Sequence, residues 1–332
     1  MHELAFPLLV GLIVLALAFD FLNGLHDAAN SIATVVSTRL LSPVNAVLFA
    51  AAGNFAAYWL VGLHVAETVG KGIIDKDVVT PAVVFGALIG AMFWNVVTWL
   101  KGIPSSSSHA LIGGLLGAGI AHGGFAAVES SGTTKTLIAI FLSPTIGFVL
   151  AMTMVLLTSW LFKGFQPRRA ESVFKTLHLF SSAAYSISHG GNDAQKTMGI
   201  IAVLLYSTGQ LKGDFHVPEW VVIACYAAIS LGTLSGGWRI IKTMGTKITR
   251  LNHHTGFCAS TAGSVVVFGA SALGIPVSTT HAITGAVIGT GAARRASAVR
   301  WGVAGRVVTA WFITIPASAA VGAVFYVLTR MF

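Results

Sequence analysis

The sequence predicts an all-α polytopic membrane protein, an inverted-topology repeat with broken helices and two re-entrant hairpins. Composition, the length of the apolar runs and internal repetition carry that prediction. Of 332 residues, 55% are hydrophobic and only 9% charged. A soluble domain carries about 25% charged residues, so this chain lacks the polar surface that water requires. Apolar runs at 44–61, 78–100, 137–161, 217–236 and 303–328 approach or exceed the roughly 20 residues a helix needs to cross hydrocarbon. Strands of a β-barrel are about 10 residues long and alternate in polarity, unlike these runs.

The net charge of +9 fits lysines and arginines gathered in cytoplasmic loops, so no nucleic-acid partner is expected. The 37 glycines suit close helix packing and interrupted helices. Both cysteines, Cys225 and Cys258, lie in apolar segments, so no disulfide framework is expected. Met1, His2 and Glu3 provide no basic region ahead of the first apolar run, and no cleaved signal peptide is expected.

Repetition is the most informative feature. Residues 102–113, Gly-Ile-Pro-Ser-Ser-Ser-Ser-His-Ala-Leu-Ile-Gly, return at 274–285 as Gly-Ile-Pro-Val-Ser-Thr-Thr-His-Ala-Ile-Thr-Gly. More weakly, 23–30, Asn-Gly-Leu-His-Asp-Ala-Ala-Asn, aligns with 189–196, His-Gly-Gly-Asn-Asp-Ala-Gln-Lys, placing Asp27 on Asp193. The chain divides into repeats at 1–165 and 166–332. Basic stretches at 163–175, 239–250 and 294–300 are expected in the cytoplasm, and 67–77 and 212–219 outside. An N-terminus outside a cell (inner or plasma) membrane then gives each half an odd number of crossings. The repeats are therefore inverted, a pattern shared by many alternating-access transporters. Residues 80–101 are long enough to cross fully, which leaves the first dip open between a re-entrant hairpin and a crossing followed by a half-helix.

Asp27 lies between apolar runs at 6–22 and 28–36. An intramembrane carboxylate costs about 2.5–3.5 kcal/mol on insertion scales and marks ion or proton paths. A lone Asp also reads as an interfacial helix cap; Asp193 in the second copy argues for the path. Asn23, Gly24, Asn30, Gly190 and Gly191 suit unwound segments, in which amides satisfy freed backbone groups or donate oxygens to a cation. His26 and His189 flank the acids and make proton coupling chemically available. Asp27, Asp193, Asn23, Asn30, Asn192 and His26 are the candidate coupling-ion or proton residues, with a cation site near the two acids.

Pro104 and Pro276 each precede a Ser/Thr cluster, which reads as a bend followed by a capped half-helix. Free N–H groups, hydroxyls and the positive end of the helix dipole make such a point an oxyanion receptor. The candidate substrate residues are Ser105, Ser106, Ser107, Ser108 and His109, then Ser278, Thr279, Thr280 and His281, with Lys196. The competing reading of each cluster is Ser/Thr packing between helices; matching bends in both halves favour one two-sided site. Lys196 takes the place of Asn30, one turn after Asp193. It needs an anionic partner there, and its fixed charge would fill a position open to a coupling cation. Lys101 is expected to snorkel to the interface. No close Cys/His set suggests zinc, and His2, His64, His122, His253 and His254 are expected to be solvated.

These motifs resemble the inorganic phosphate transporter (PiT) family, including its low-affinity bacterial permeases. Residues 23–30 look like its first signature, 190–196 like its second, and the two Pro-led bends match its hairpins, across essentially the whole chain. The resemblance implies a symporter that binds inorganic phosphate between the bends. It also implies a coupling cation (H+ or Na+) near the acids, and a homodimer in the lipid bilayer. His26-Asp27 and Gln195-Lys196 stand where sodium-coupled members favour Asn-Asp and a following Asn. That departure favours protons, or phosphate carried with a divalent metal. A sulfate permease and a sodium-coupled symporter are the alternatives within the family. An intramembrane hydrolase is the alternative of another class, and no Gly-x-Ser-x-Gly nucleophile motif supports it. A passive anion channel is disfavoured by the buried acids. No enzyme activity and no cofactor beyond the coupling ion are expected.

Overall fold

The computed structural model describes residues 6–75, 78–211 and 214–331. His2 and residues 76–77 and 212–213 of the expected outer loops lie outside the described residues. Twelve α-helices are present among the described residues: α1 (Phe6–Ser37), α2 (Pro43–Leu60), α3 (His64–Gly72), α4 (Pro81–Lys101), α5 (Ser107–Gly123) and α6 (Ser130–Leu161). They continue as α7 (Pro167–Ser207), α8 (Glu219–Ser235), α9 (Trp238–Lys242), α10 (His253–Ala272), α11 (Thr279–Arg294) and α12 (Trp301–Leu328).

Local chemistry sets many of the boundaries. Ser42 and Thr80 cap α2 and α4, each with proline in the first turn, where its missing N–H costs nothing. A reciprocal Asn252–Thr255 capping box starts α10. Gly102, at φ 62°, ends α4 in the left-handed conformation that glycine adopts without penalty. Helices α1, α4, α6, α10 and α12 are each long and apolar enough to cross a membrane. Two bent pairs add to them: α2 with α3, turning by 87°, and α8 with the segment 238–247, turning by 64°.

The helix breaks lie elsewhere than expected. Helices α1 and α7 run unbroken through Asp27 and Asp193. Their glycines serve close packing instead. A Cβ on Gly24 would sit 2.1 Å from the Ile229 carbonyl of α8, and one on Gly190 would sit 2.5 Å from the Asn54 carbonyl of α2. Gly232 and Gly53 answer from the other side, against Phe21 and Ser186. Helix α1 thus packs on α8 as α7 packs on α2, the small-residue contact typical of membrane bundles. Gly24→Ala is expected to cost about 1–3 kcal/mol through overpacking, read as a lower melting temperature in detergent.

The breaks shape the segments expected as loops at 67–77 and 239–250. Helix α3 runs into the first; α9 runs into the second and continues there as a π-turn over Thr243–Lys247. Each stub braces the base of the other repeat's hairpin. Thr243 Oγ1 donates to the Gly102 carbonyl at 2.9 Å, while His64 and Thr68 of α3 lie against Gly274. The hairpins are exchanged likewise: α4 and α5 pack on α12, and α10 and α11 pack on α6.

Polarity is arranged inside out. Phe141 and Trp160 on α6 and Phe312 on α12 are more than half exposed, whereas Asp20, Asn54, Ser105, Asn192 and Asp193 are fully buried. That distribution suits a lipid-facing belt around a polar centre. Two contacts fix the relative direction of the long central helices. Asp27 meets Asp193, while Asp20, earlier in α1, meets Thr197, later in α7. Helices α1 and α7, the first of each repeat, therefore run antiparallel, as inversion requires.

Candidate functional site

Each hairpin bend ends on a serine cap. Ser106 Oγ accepts from the His109 N–H at 3.1 Å, and Ser278 Oγ accepts from the His281 N–H at 3.1 Å. The caps leave the amides at the very start of α5 and α11 without intrahelical acceptors. The two helix starts meet. The His109 and His281 rings lie edge to face with centroids 4.5 Å apart, and Ser108 Oγ donates to the Val277 carbonyl at 3.4 Å. Trp311 of α12 stacks on His281 at 3.9 Å and donates to the Pro104 carbonyl at 3.3 Å, tying both bends to one ring.

The acids of α1 and α7 face this junction. Thr279 Oγ1 donates to Asp193 Oδ2 at 2.9 Å, and Thr280 Oγ1 donates to Asp27 Oδ1 at 3.4 Å. Lys196 Nζ donates to Asp193 Oδ1, to Ser108 Oγ and to the Val277 carbonyl, so one buried ammonium touches an acid and both bends. Asn30 makes the corresponding reach across the repeats, donating to Thr280 Oγ1 at 2.9 Å. The contacts of Lys196 to Ser108 and Asn30 to Thr280 are thus equivalent under the internal repeat.

The residue before each acid is anchored within its own half. His26 holds Asp27 Oδ1 at 2.6 Å and Thr98 of α4 at 3.0 Å, and Asn192 donates to Ser271 of α10 at 2.8 Å. Ser105 Oγ donates to Thr98 Oγ1 at 2.9 Å, so its hydroxyl is spent on the mount of His26. His189 lies 3.2 Å from Asp193. Ligand atoms of Asp27, His189 and Asp193 all fall within 4.8 Å of one another, a group able to hold a cation.

Several buried atoms here make no hydrogen bond within the protein: Ser107 Oγ, His109 Nδ1, both His281 ring nitrogens, and Oδ1 of Asn23, Asn30 and Asn192. Buried polar groups are almost always paired. The repeated motifs therefore carry buried donors and acceptors that are free to take a further partner.

Sequence reasoning passed over several residues of this centre. Asp20 sits inside the run at 6–22 and, as an acid in an apolar stretch, carried a readable signal. Thr98, Asn54 and Tyr185, which donates to the Thr279 carbonyl at 2.9 Å, carried none, because hydroxyls and amides are common in membrane helices. Gln195 is structural, bridging the break between α2 and α3. Its Oε1 accepts from the N–H groups of Val65 and Ala66 at 3.0 and 3.2 Å, and its Nε2 donates to the Gly62 carbonyl at 2.7 Å. Lys101 and the exposed His64 and His122 are peripheral, whereas His253 and His254 are half-buried at the start of α10 rather than solvated.

Apolar spans around inverted repeats that share a buried polar centre fit a multi-pass membrane transporter. The chain belongs to the phosphate transporter family, matching it over residues 23–168 and again over 163–322. It is 64% identical over 323 residues to a "Probable low-affinity inorganic phosphate transporter" of Rhizobium meliloti, covering 97% of each chain. A protein of the same description from Bacillus subtilis is 42% identical, covering 96% of each. The solved structure of a sodium-dependent phosphate transporter superposes with a TM-score of 0.91 at 27% identity, over 98% of this chain and 100% of the other. Each of these relatives is described as a transporter.

Proposed function

We propose that this protein is a secondary active symporter of inorganic phosphate, driven by protons, and that the anion binds where the two hairpin bends meet. One observation carries the reading: the starts of α5 and α11 converge on Lys196 with buried donors unused beside them. A tetrahedral oxyanion accepts from several directions at once, which a cage of helix starts, hydroxyls and one ammonium supplies. The first-turn amides, Ser107, Ser108, Thr279, Thr280, His109, His281 and Lys196 form that cage. Ser105, Ser106 and Ser278 position it.

Asp27, His26 and Asn30 on one side, and Asp193, Asn192 and His189 on the other, serve the coupling ion. A lysine follows Asp193 by one turn and supplies positive charge that a bound sodium ion would otherwise provide, while His26 holds Asp27 directly. The halves 1–165 and 166–332 rock about the cage, with the N-terminus outside. Sodium coupling is the second reading, favoured by the likeness to a sodium-dependent transporter and by the cation-competent group of Asp27, His189 and Asp193. Carriage of a divalent metal with the phosphate draws on the same group.

The test is uptake of labelled phosphate into proteoliposomes under separately imposed pH and sodium gradients, with and without competing sulfate or divalent metal. Uphill uptake driven by the pH gradient, and resistant to sulfate, is expected. Uptake that follows sodium alone overturns proton coupling, and full inhibition by sulfate overturns the selectivity for phosphate.

A further inference from the structure

Asp20 is a buried acid that neither the hairpins nor the two signature motifs use. It is fully buried on α1, seven residues and thus about 10 Å along the helix before Asp27. Its Oδ1 accepts from Thr197 Oγ1 at 3.0 Å, and its Oδ2 makes no hydrogen bond within the protein. Among the described residues no lysine, arginine or histidine forms an ion pair with it. The titratable groups that face it are Asp193 and Lys196 on α7 and Cys225 and Tyr226 on α8, with the Asn23 amide beside it on α1. Lys196 is committed to Asp193 and the bends.

A carboxylate in such surroundings needs a balancing charge, because an unpaired one costs several kcal/mol. Unlike Asp27, His189 and Asp193, Asp20 belongs among the described residues to no group of acids and histidines close enough to share a metal ion. A proton needs only one oxygen. Thr197 follows Lys196 directly and lies one turn beyond Asp193, so the charge on Asp20 acts on the pair that grips the cage. The arrangement is also one-sided: the internal repeat places Ser186 where Asp20 would recur, and Ser186 only donates to its own helix at the Ser182 carbonyl.

We propose that Asp20 is a proton-binding site of the transport cycle, lying outside the anion cage and linked through Thr197 to the Asp193–Lys196 pair. This rests on the proton-coupled reading above. Binding of the proton neutralises Asp20 when the cage loads, and its release resets the Asp193–Lys196 pair.

Proteoliposomes carrying wild type, Asp20→Asn, Asp20→Glu and Thr197→Val separate the possibilities. Phosphate exchange without any gradient reads the cage, and pH-driven accumulation with an entrapped pH dye reads coupling. Asp20→Asn is expected to keep exchange but lose accumulation and phosphate-dependent proton entry. Asp20→Glu keeps both, and Thr197→Val keeps exchange while shifting the pH profile of accumulation. Accumulation by Asp20→Asn at the wild-type level overturns the assignment. Loss of exchange in both Asp20 variants overturns it too, marking the residue as structural, and an unmoved pH profile in Thr197→Val removes the link. A wild type that moves no phosphate at all instead overturns the proposed substrate.

Discussion

Lys196→Met is expected to abolish phosphate uptake and to destabilise the protein, and the two effects separate in a double variant. Lys196 is only 2% exposed, and its ammonium touches Asp193, Ser108 and the Val277 carbonyl. Removing one partner of a buried ion pair leaves the other uncompensated, at about 3–5 kcal/mol. Adding Asp193→Asn removes that unpaired charge, so the double variant should regain most of the lost thermal stability in detergent. It should not regain transport, because the cage still lacks its one cation. Recovery of uptake in the double variant would show that Lys196 serves packing alone.

Asp27→Asn is expected to lower gradient-driven uptake roughly 10- to 100-fold, the factor that follows from losing hydrogen bonds to a charged group. Asp27 accepts from Thr280 at 3.4 Å and holds His26 at 2.6 Å, and it belongs to the group with His189 and Asp193. An amide keeps the shape and loses the charge that balances a coupling ion. Its effect should therefore fall on accumulation more than on affinity, read from initial rates over a range of phosphate concentrations. A variant that changes only affinity would move Asp27 from the coupling path into the anion cage.

Much of this centre was legible because the chain states it twice. Pro104 and Pro276, with the Ser/Thr clusters after them, specify capped helix starts from local chemistry alone, and Ser106 and Ser278 adopt those caps. Repetition of the Asp27 and Asp193 motifs likewise marked the helices that meet them. The glycines misled. Gly24, Gly190 and Gly191 permit a break, but they also permit contact between helices, and α8, α2 and the side chain of Val61 take up that space. Of the true breaks, after Leu60 and Ser235, the second falls at the readable pair Gly236 and Gly237, but the first is secured by Gln195, which lies 130 residues from Val65 in sequence. Such tertiary satisfaction of a freed backbone leaves no local pattern to read.

In the proposed transporter the starts of α5 and α11 hold a single tetrahedral anion between them. Crystals grown with arsenate, which shares the shape and charge of phosphate and scatters anomalously, test it most directly. One arsenic peak within hydrogen-bonding reach of the first-turn amides of both helices and of Lys196 is the expected result. A peak at one bend only, or at a remote surface with the junction empty, would contradict the account.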